Sequence, residues 1–231
     1  MTGANEWRGF NDWAAPNSRE MSLYLRTPER EGNAQSVGEL NEARPTNERS
    51  PLSYTYDPAR VSVSRDINFL GSTRLWFEPS DGDNLLFQTA PLTEAMDVAG
   101  QVELDLHFST SAEDTDFFAL LVDIDERGER RALNYPGKIR TRYLSGWELP
   151  QPLEPNRVYR ATIQLRDIAH RSGRGHRIGL AIRSEWFPSF ARNLNTSEPI
   201  AMATRIVIAR QTIYGDAQRP SVLRFRVLPR Q

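Results

Sequence analysis

The sequence predicts an all-β fold, an antiparallel β-sandwich of the jelly-roll kind, and three observations predict it. Short apolar or alternating runs recur along the chain with Pro, Gly and Asp turns between them. No stretch sustains a 3.6-residue apolar period. Phe117 to Val122 is an unbroken apolar run with a polar turn before it and Asp125-Glu-Arg-Gly128 after it. Such a run is a strand covered on both faces or a piece of buried helix, and the Gly-containing turn with Phe118, Leu120, Val122 and Ile124 in alternation favours a central strand.

In chain order, residues 1–20 form an irregular strap carrying Trp7, Phe10, Trp13 and Pro16. Ser22-Leu-Tyr-Leu25 reads as a short strand, and 27–51 as a long polar loop without periodicity. Tyr54-Thr-Tyr-Asp-Pro58 is extended and closed by a turn, and 61–71 is another loop. Thr73 to Phe77 and Leu85 to Thr89 flank the turn Pro79-Ser-Asp-Gly82. Val98 and Val102 to Phe108 place apolar residues on one face and Glu103, Asp105 and His107 on the other. After the central strand come candidate strands over 139–144, 158–165, 176–182, 205–209 and 222–227, giving nine or ten in all. No repeat or linker divides 21–231, which reads as one sandwich domain.

The 231 residues suffice for a sizeable core, at 39% hydrophobic and 26% charged. Lys and Arg number 29 against 30 Asp and Glu, for a net charge of −1, and this balance points to neither nucleic acid nor a membrane surface. With no cysteine there is no disulfide, thiolate metal site or Cys nucleophile. The chain shows no signal peptide and no apolar run of the ~20 residues that span a bilayer, so a cytoplasmic location is the expectation.

Catalytic chemistry finds little support. There is no G-x-S-x-G elbow, and His107, His170 and His176 lie on separate elements. Asp114, Asp116, Asp123 and Asp125 form the densest carboxylate cluster. They could hold calcium at a strand end, but no D-x-D-x-D-G loop is present and strand-end Asp residues commonly cap turns. The expectation is therefore a structural motif of Asp114, Asp116, Asp123 and His176, with no metal and no cofactor. Trp76, Trp147 and Trp186 could stack on a sugar ring, which keeps a free-standing carbohydrate or small-ligand module as the alternative function.

Six segments in order then carry a family resemblance. They are Leu92 to Gly100, Asp114-Thr-Asp116-Phe, Leu121-Val-Asp123 with Gly128, Gly175-His-Arg177, Ser184-Glu-Trp-Phe-Pro188 and Asn193-Leu-Asn-Thr196. With Tyr56-Asp-Pro58 and the opening Gly3 to Arg8 and Trp13 to Pro16, the chain resembles the C-terminal domain of X-Pro dipeptidyl-peptidase and of the cocaine esterase, α-amino-acid ester hydrolase and glutaryl acylase group. The resemblance implies a non-catalytic, galactose-binding-like jelly roll attached to an α/β-hydrolase domain that carries a Ser-Asp-His triad. It also implies that residues 1–20 are the strap leaving that domain, and that this chain supports it and shapes substrate entry, with homo-oligomer contacts as a further use. The expected interdomain residues are Trp7, Phe10 and Trp13 on the strap, and Ile67, Phe69 and Leu70 after Tyr-Asp-Pro. Packing of Trp7 and Trp13 onto the domain's own core is the competing expectation. Two departures from the family pattern stand out. Residues 61–71 replace a Pro-x-x-Gly-Gly loop, and Tyr214-Gly215-Asp216 stands where a His often follows the Tyr.

Overall fold

The computed structural model describes residues 1–13, 15–28, 37–60 and 82–229. The strand expected over 73–77, Trp76, and Ile67, Phe69 and Leu70 lie outside the described residues. Twelve strands are present: β1 Arg19–Arg26, β2 Val37–Asn41, β3 Leu52–Tyr56, β4 Asn84–Gln88, β5 Met96–Thr110 and β6 Asp116–Ile124, followed by β7 Arg130–Ala132, β8 Gly137–Arg140, β9 Tyr159–Ser172, β10 Arg177–Arg183, β11 Ala209–Tyr214 and β12 Val222–Val227. The helical structure among the described residues is a 3₁₀ turn, Thr141–Tyr143.

Hydrogen bonds link the strands in the order β3-β11-β5-β12-β1-β2-β4-β10-β6-β7, with β9 on the free edge of β5 and β8 beside β7 on β6. All pairs are antiparallel except β2 with β4. The path folds over into a sandwich. Strands β5 and β6 share no ladder, yet Phe108 and Phe117 meet with ring centroids 4.6 Å apart, and one buried apolar cluster draws on both layers through Leu23, Leu104, Leu121, Ile163, Leu180 and Phe225.

Strand β6 is central, with β10 on one side and β7 and β8 on the other. Phe117, Ala119 and Leu121 face the main core. Phe118, Leu120, Val122 and Ile124 face outward into a second cluster with Leu86, Ala181 and Trp186. The segment after β10 covers that outer face, which is why the strand is apolar at every position from Phe117 to Val122 rather than alternating.

Several boundaries differ from the expectation. Strand β2 lies inside the stretch expected as a loop, and only Gly38 and Leu40 of it are buried. A Cβ on Gly38 would stand 2.3 Å from the Phe87 ring, so the strand is held by close approach rather than by an apolar face. The strand expected over 139–144 stops at Arg140, because Thr141 and Arg142 turn to hydrogen-bond Asp114. Of the run expected as a strand over 205–209, residues 205–208 stay out of the sheet, and β11 begins at Ala209, pairing with β3 and β5. Strand β9 pairs along its whole length with β5 from Met96 to Phe108, past a bulge at Gly100–Val102 where Gly100 has φ 132°. This long ribbon gives the sandwich two ends about 40 Å apart, at ~3.3 Å per residue.

Candidate functional site

The strap lies along the ribbon at its Met96/Ser172 end. Thr2 bridges to His170, donating its N–H to Ala169 O at 2.9 Å and accepting from Arg171 N at 2.9 Å. Its hydroxyl lies 2.8 Å from His170 Nδ1. Arg8 donates to Asp97 at 2.8 Å, and Arg171 donates to the same carboxylate twice, at 2.6 and 2.7 Å. Arg171 and then Arg8 hold the Asp97 carboxyl below the usual range in spite of partial burial. Trp13 donates its indole N–H to Asp167 at 2.7 Å, and Ala15 packs with Ala99 and Leu228. Fixed in this way, the strap leaves Trp7 wholly exposed and Phe10 and Trp13 substantially so.

At the same end, Asp123 Oδ2 is faced by His176 Nδ1 at 2.9 Å and His170 Nε2 at 3.5 Å. Burial opposes ionisation of Asp123, but the polar groups of His170, Ser172 and His176 outweigh it and hold its pKa down. His170 thus joins the strap to the second layer. Asp125 accepts from Arg127 N and Glu129 N and closes the turn at Gly128, whose φ is 82°. A groove of about 670 Å³ opens here between the layers, floored by Met21, Leu23, Leu92 and Ile178 and edged by Arg19 and Arg171. None of its described lining residues is aromatic.

The opposite end is built on Asp114 and Asp116, both fully buried. Asp114 accepts from Thr141 Oγ1, Arg142 N, Arg142 Nε and Asn193 Nδ2, at 2.7–3.0 Å. Asp116 accepts from Arg140 Nε and Nη2 and from Asn193 Nδ2, and lies 2.9 Å from Lys138 Nζ. Each of the four carboxylate oxygens has two partners, so two buried anions are matched by three cations and an amide. One backbone N–H takes part, that of Arg142, which belongs to another segment rather than to the carboxylates' own turn. In the sequence Arg140 and Arg142 read only as part of the candidate strand over 139–144. Among the described residues no group of three or more His, Cys, Asp or Glu is arranged to hold a metal.

Of the expected interdomain residues, Ile67, Phe69 and Leu70 lie outside the described residues, and the other three belong to the strap. Trp7, Phe10 and Trp13 sit at the Met96/Ser172 end. Tyr56-Asp57-Pro58 sits at the other, since Tyr56 pairs with Ala209 and Gln211 with Thr110. Of the candidate stacking residues, Trp186 is buried in the second cluster, while Trp147 is exposed beside Tyr143.

These features define a class first: a β-sandwich whose polar clusters are locked into structural pairs, with no nucleophile elbow in its sequence. The family follows. Residues 1–224 match the model of the X-Pro dipeptidyl-peptidase C-terminal non-catalytic domain, and the chain belongs to that family. It is 30% identical over 243 residues to cocaine esterase of Rhodococcus sp. (strain MB1 Bresler), spanning all of this chain and 41% of that protein. An aminopeptidase from the marine sediment archaeon Thaumarchaeota archaeon superposes with TM-score 0.85 at 27% identity, over 99% of this chain and 40% of its own. An α-amino acid ester hydrolase superposes with TM-score 0.76 at 25% identity, over 90% of this chain and 36% of its own. The chain therefore spans about two fifths of the length of the relatives it matches.

Proposed function

We propose that this chain is the accessory sandwich of a serine hydrolase acting on acyl esters or peptides, in which residues 1–20 are the strap leaving an α/β-hydrolase domain and 21–231 form one supporting domain. The observation that carries the reading is the strap itself. Arg8, Trp13 and Thr2 pin it to the sandwich, while Trp7 and Phe10 point away from any core of this chain. Large aromatics left exposed on an anchored strap favour an apolar partner. The relatives, each about two and a half times as long as this chain, leave room for that partner. In this reading the sandwich buttresses the hydrolase domain and shapes substrate entry, and the Ser-Asp-His triad lies outside the chain.

The test mixes the chain with the separately expressed hydrolase portion of its parent and measures binding by calorimetry. Binding should weaken at least tenfold in a Trp7→Ser/Trp13→Ser double variant. Binding that is absent, or indifferent to the double variant, defeats the reading. The groove at the strap end favours a second reading, a small-ligand module. Saturable binding of a mono- or oligosaccharide, lost in Ile178→Trp, would support that instead.

A further inference from the structure

The groove at the strap end carries two charges that the fold does not use. Its volume of about 670 Å³ falls within the ~300–1,000 Å³ of small-molecule sites. The lining is aliphatic on both layers, with Met21 and Leu23 on β1, Leu40 on β2, Met96 on β5, Ile178 on β10 and Leu92 between strands. Five described ionisable residues also line it: Arg19, Glu42, Glu94, Asp97 and Arg171. Asp97 and Arg171 hold each other through two hydrogen bonds, and Glu94 has contacts of its own. Arg19 and Glu42 are exposed, and their side chains have neither a hydrogen bond nor an ion pair among the described residues.

The two free charges are of opposite sign and stand towards opposite ends of one floor strand. Arg19 opens β1. Glu42 follows Asn41, whose partner across the ladder is Tyr24, near the far end of β1. At ~3.3 Å per residue the charges lie roughly 13–16 Å apart along the strand, with Met21 and Leu23 between them. The segment 89–96 lines the same groove and is fixed in advance. Thr89 N donates to Ile178 O at 3.0 Å, Leu92 N to His176 O at 2.7 Å, and Arg177 to Thr89 O at 2.7 Å. A site formed before its guest arrives loses little in ordering it.

We infer that this groove binds a short extended peptide with free ends and aliphatic side chains, its carboxylate on Arg19 and its α-ammonium on Glu42. An extended chain of four or five residues spans about 13–17 Å, which is the separation of the two charges. Alternate side chains of such a chain face one way, so they meet Met21, Leu23 and Ile178 together. The thioethers of Met21 and Met96 adapt to different aliphatic shapes. The planar guanidinium of Arg19 takes a carboxylate through two hydrogen bonds. A sugar finds no aromatic face among the described lining residues, and a fatty carboxylate leaves Glu42 unanswered. With this guest the chain is the small-ligand module of the second reading above, on which the inference rests, whether or not a hydrolase domain stands beside it.

The probe is the tetrapeptide Leu-Ala-Leu-Ala, titrated into the chain by calorimetry at low ionic strength. Its N-acetylated and C-amidated forms, octanoate and maltotriose are titrated beside it. The expected result is saturable binding of the free tetrapeptide, weakened at least fivefold by blocking either end. Glu42→Gln should weaken the free peptide to the level of the N-acetylated form, and Arg19→Gln should weaken it to that of the C-amidated form. Both side chains are exposed, so each variant should keep the wild-type melting temperature. The blocked peptides test the same contacts on the wild type alone. If free and blocked peptides bind alike, or if neither substitution changes binding, the inference falls. If octanoate binds as tightly as the peptide and responds to Arg19→Gln alone, the guest is an aliphatic carboxylate and the inference is overturned. If only maltotriose binds, the small-ligand reading stands and the peptide falls. If no probe binds, both fall.

Discussion

Asp116 shows how a carboxylate of the kind that could hold calcium is built into the fold as a structural part. Arg140 grips it with two hydrogen bonds, Lys138 lies on its outer oxygen, and Asn193 bridges it to Asp114. Asp116→Ala would strand a buried guanidinium, and we expect a loss of about 3–5 kcal/mol in urea unfolding. Millimolar calcium should leave the melting temperature of the wild type unchanged. A calcium-dependent rise abolished by Asp116→Asn would show that the pair binds metal. Asp105 gives a pH signature on the outer face of the ribbon. Burial opposes its ionisation, but Thr162, Arg224 and Arg160 donate to it at 2.7–2.8 Å and lower its pKa to about 2. An unfolded Asp titrates near 3.9, so the folded state binds the proton less tightly. The resulting stability is fully present above about pH 4 and is lost as pH falls toward about 2. Asp105→Asn should remove on the order of 2 kcal/mol at neutral pH and flatten the acid limb of the stability curve. Equal acid limbs in the two proteins would remove the argument.

Among the elements, β6 explains its own composition. Phe117 meets Phe108 in the main core, and Phe118 meets Phe190 and Trp186 at 5.1 and 6.2 Å in the outer cluster. Both phenylalanines are fully buried, so Phe117→Ala and Phe118→Ala should each cost about 3–5 kcal/mol in chemical denaturation. A strand with one wet face would show a large loss at one of the two positions only. Gly215 accounts for one departure from the family pattern. A Cβ there would stand 2.1 Å from Leu25 O, and the neighbouring Asp216 caps its turn by accepting from Gln218 N and Arg219 N. The position is set by close backbone approach between the end of β11 and β1.

For the whole molecule, the family to which the chain belongs is described as a C-terminal non-catalytic domain. The isolated chain should hydrolyse neither p-nitrophenyl esters nor Xaa-Pro anilides. Turnover that survives repurification and disappears on substitution of one Ser would contradict this. The surface tells against a self-sufficient body, since apolar side chains are presented at both ends while the ribbon between them carries the Asp105, Arg160, Thr162 and Arg224 network.

The sequence by itself determined the all-β class, the central place of β6, the Asp125–Gly128 turn and the family, because each rests on local pattern: alternation, turn residues, or short motifs in order. It also pointed to Trp7, Phe10 and Trp13, whose exposure is now visible, though not to the strap's attachment through Arg8, Asp97 and Arg171. Only the tertiary structure decided the rest. Strand β2 exists because Gly38 fits under Phe87, and 205–208 is not a strand because β3 and β5 pair further along the chain. Asp114 and Asp116 are filled by Arg142, Arg140, Lys138 and Asn193, and the Asn lies nearly 80 residues away in sequence. The physical reason is the same in each case. Propensity and periodicity are properties of neighbouring residues, whereas ladder partners, close approaches and charge neutralisation depend on segments that meet only after the layers have closed.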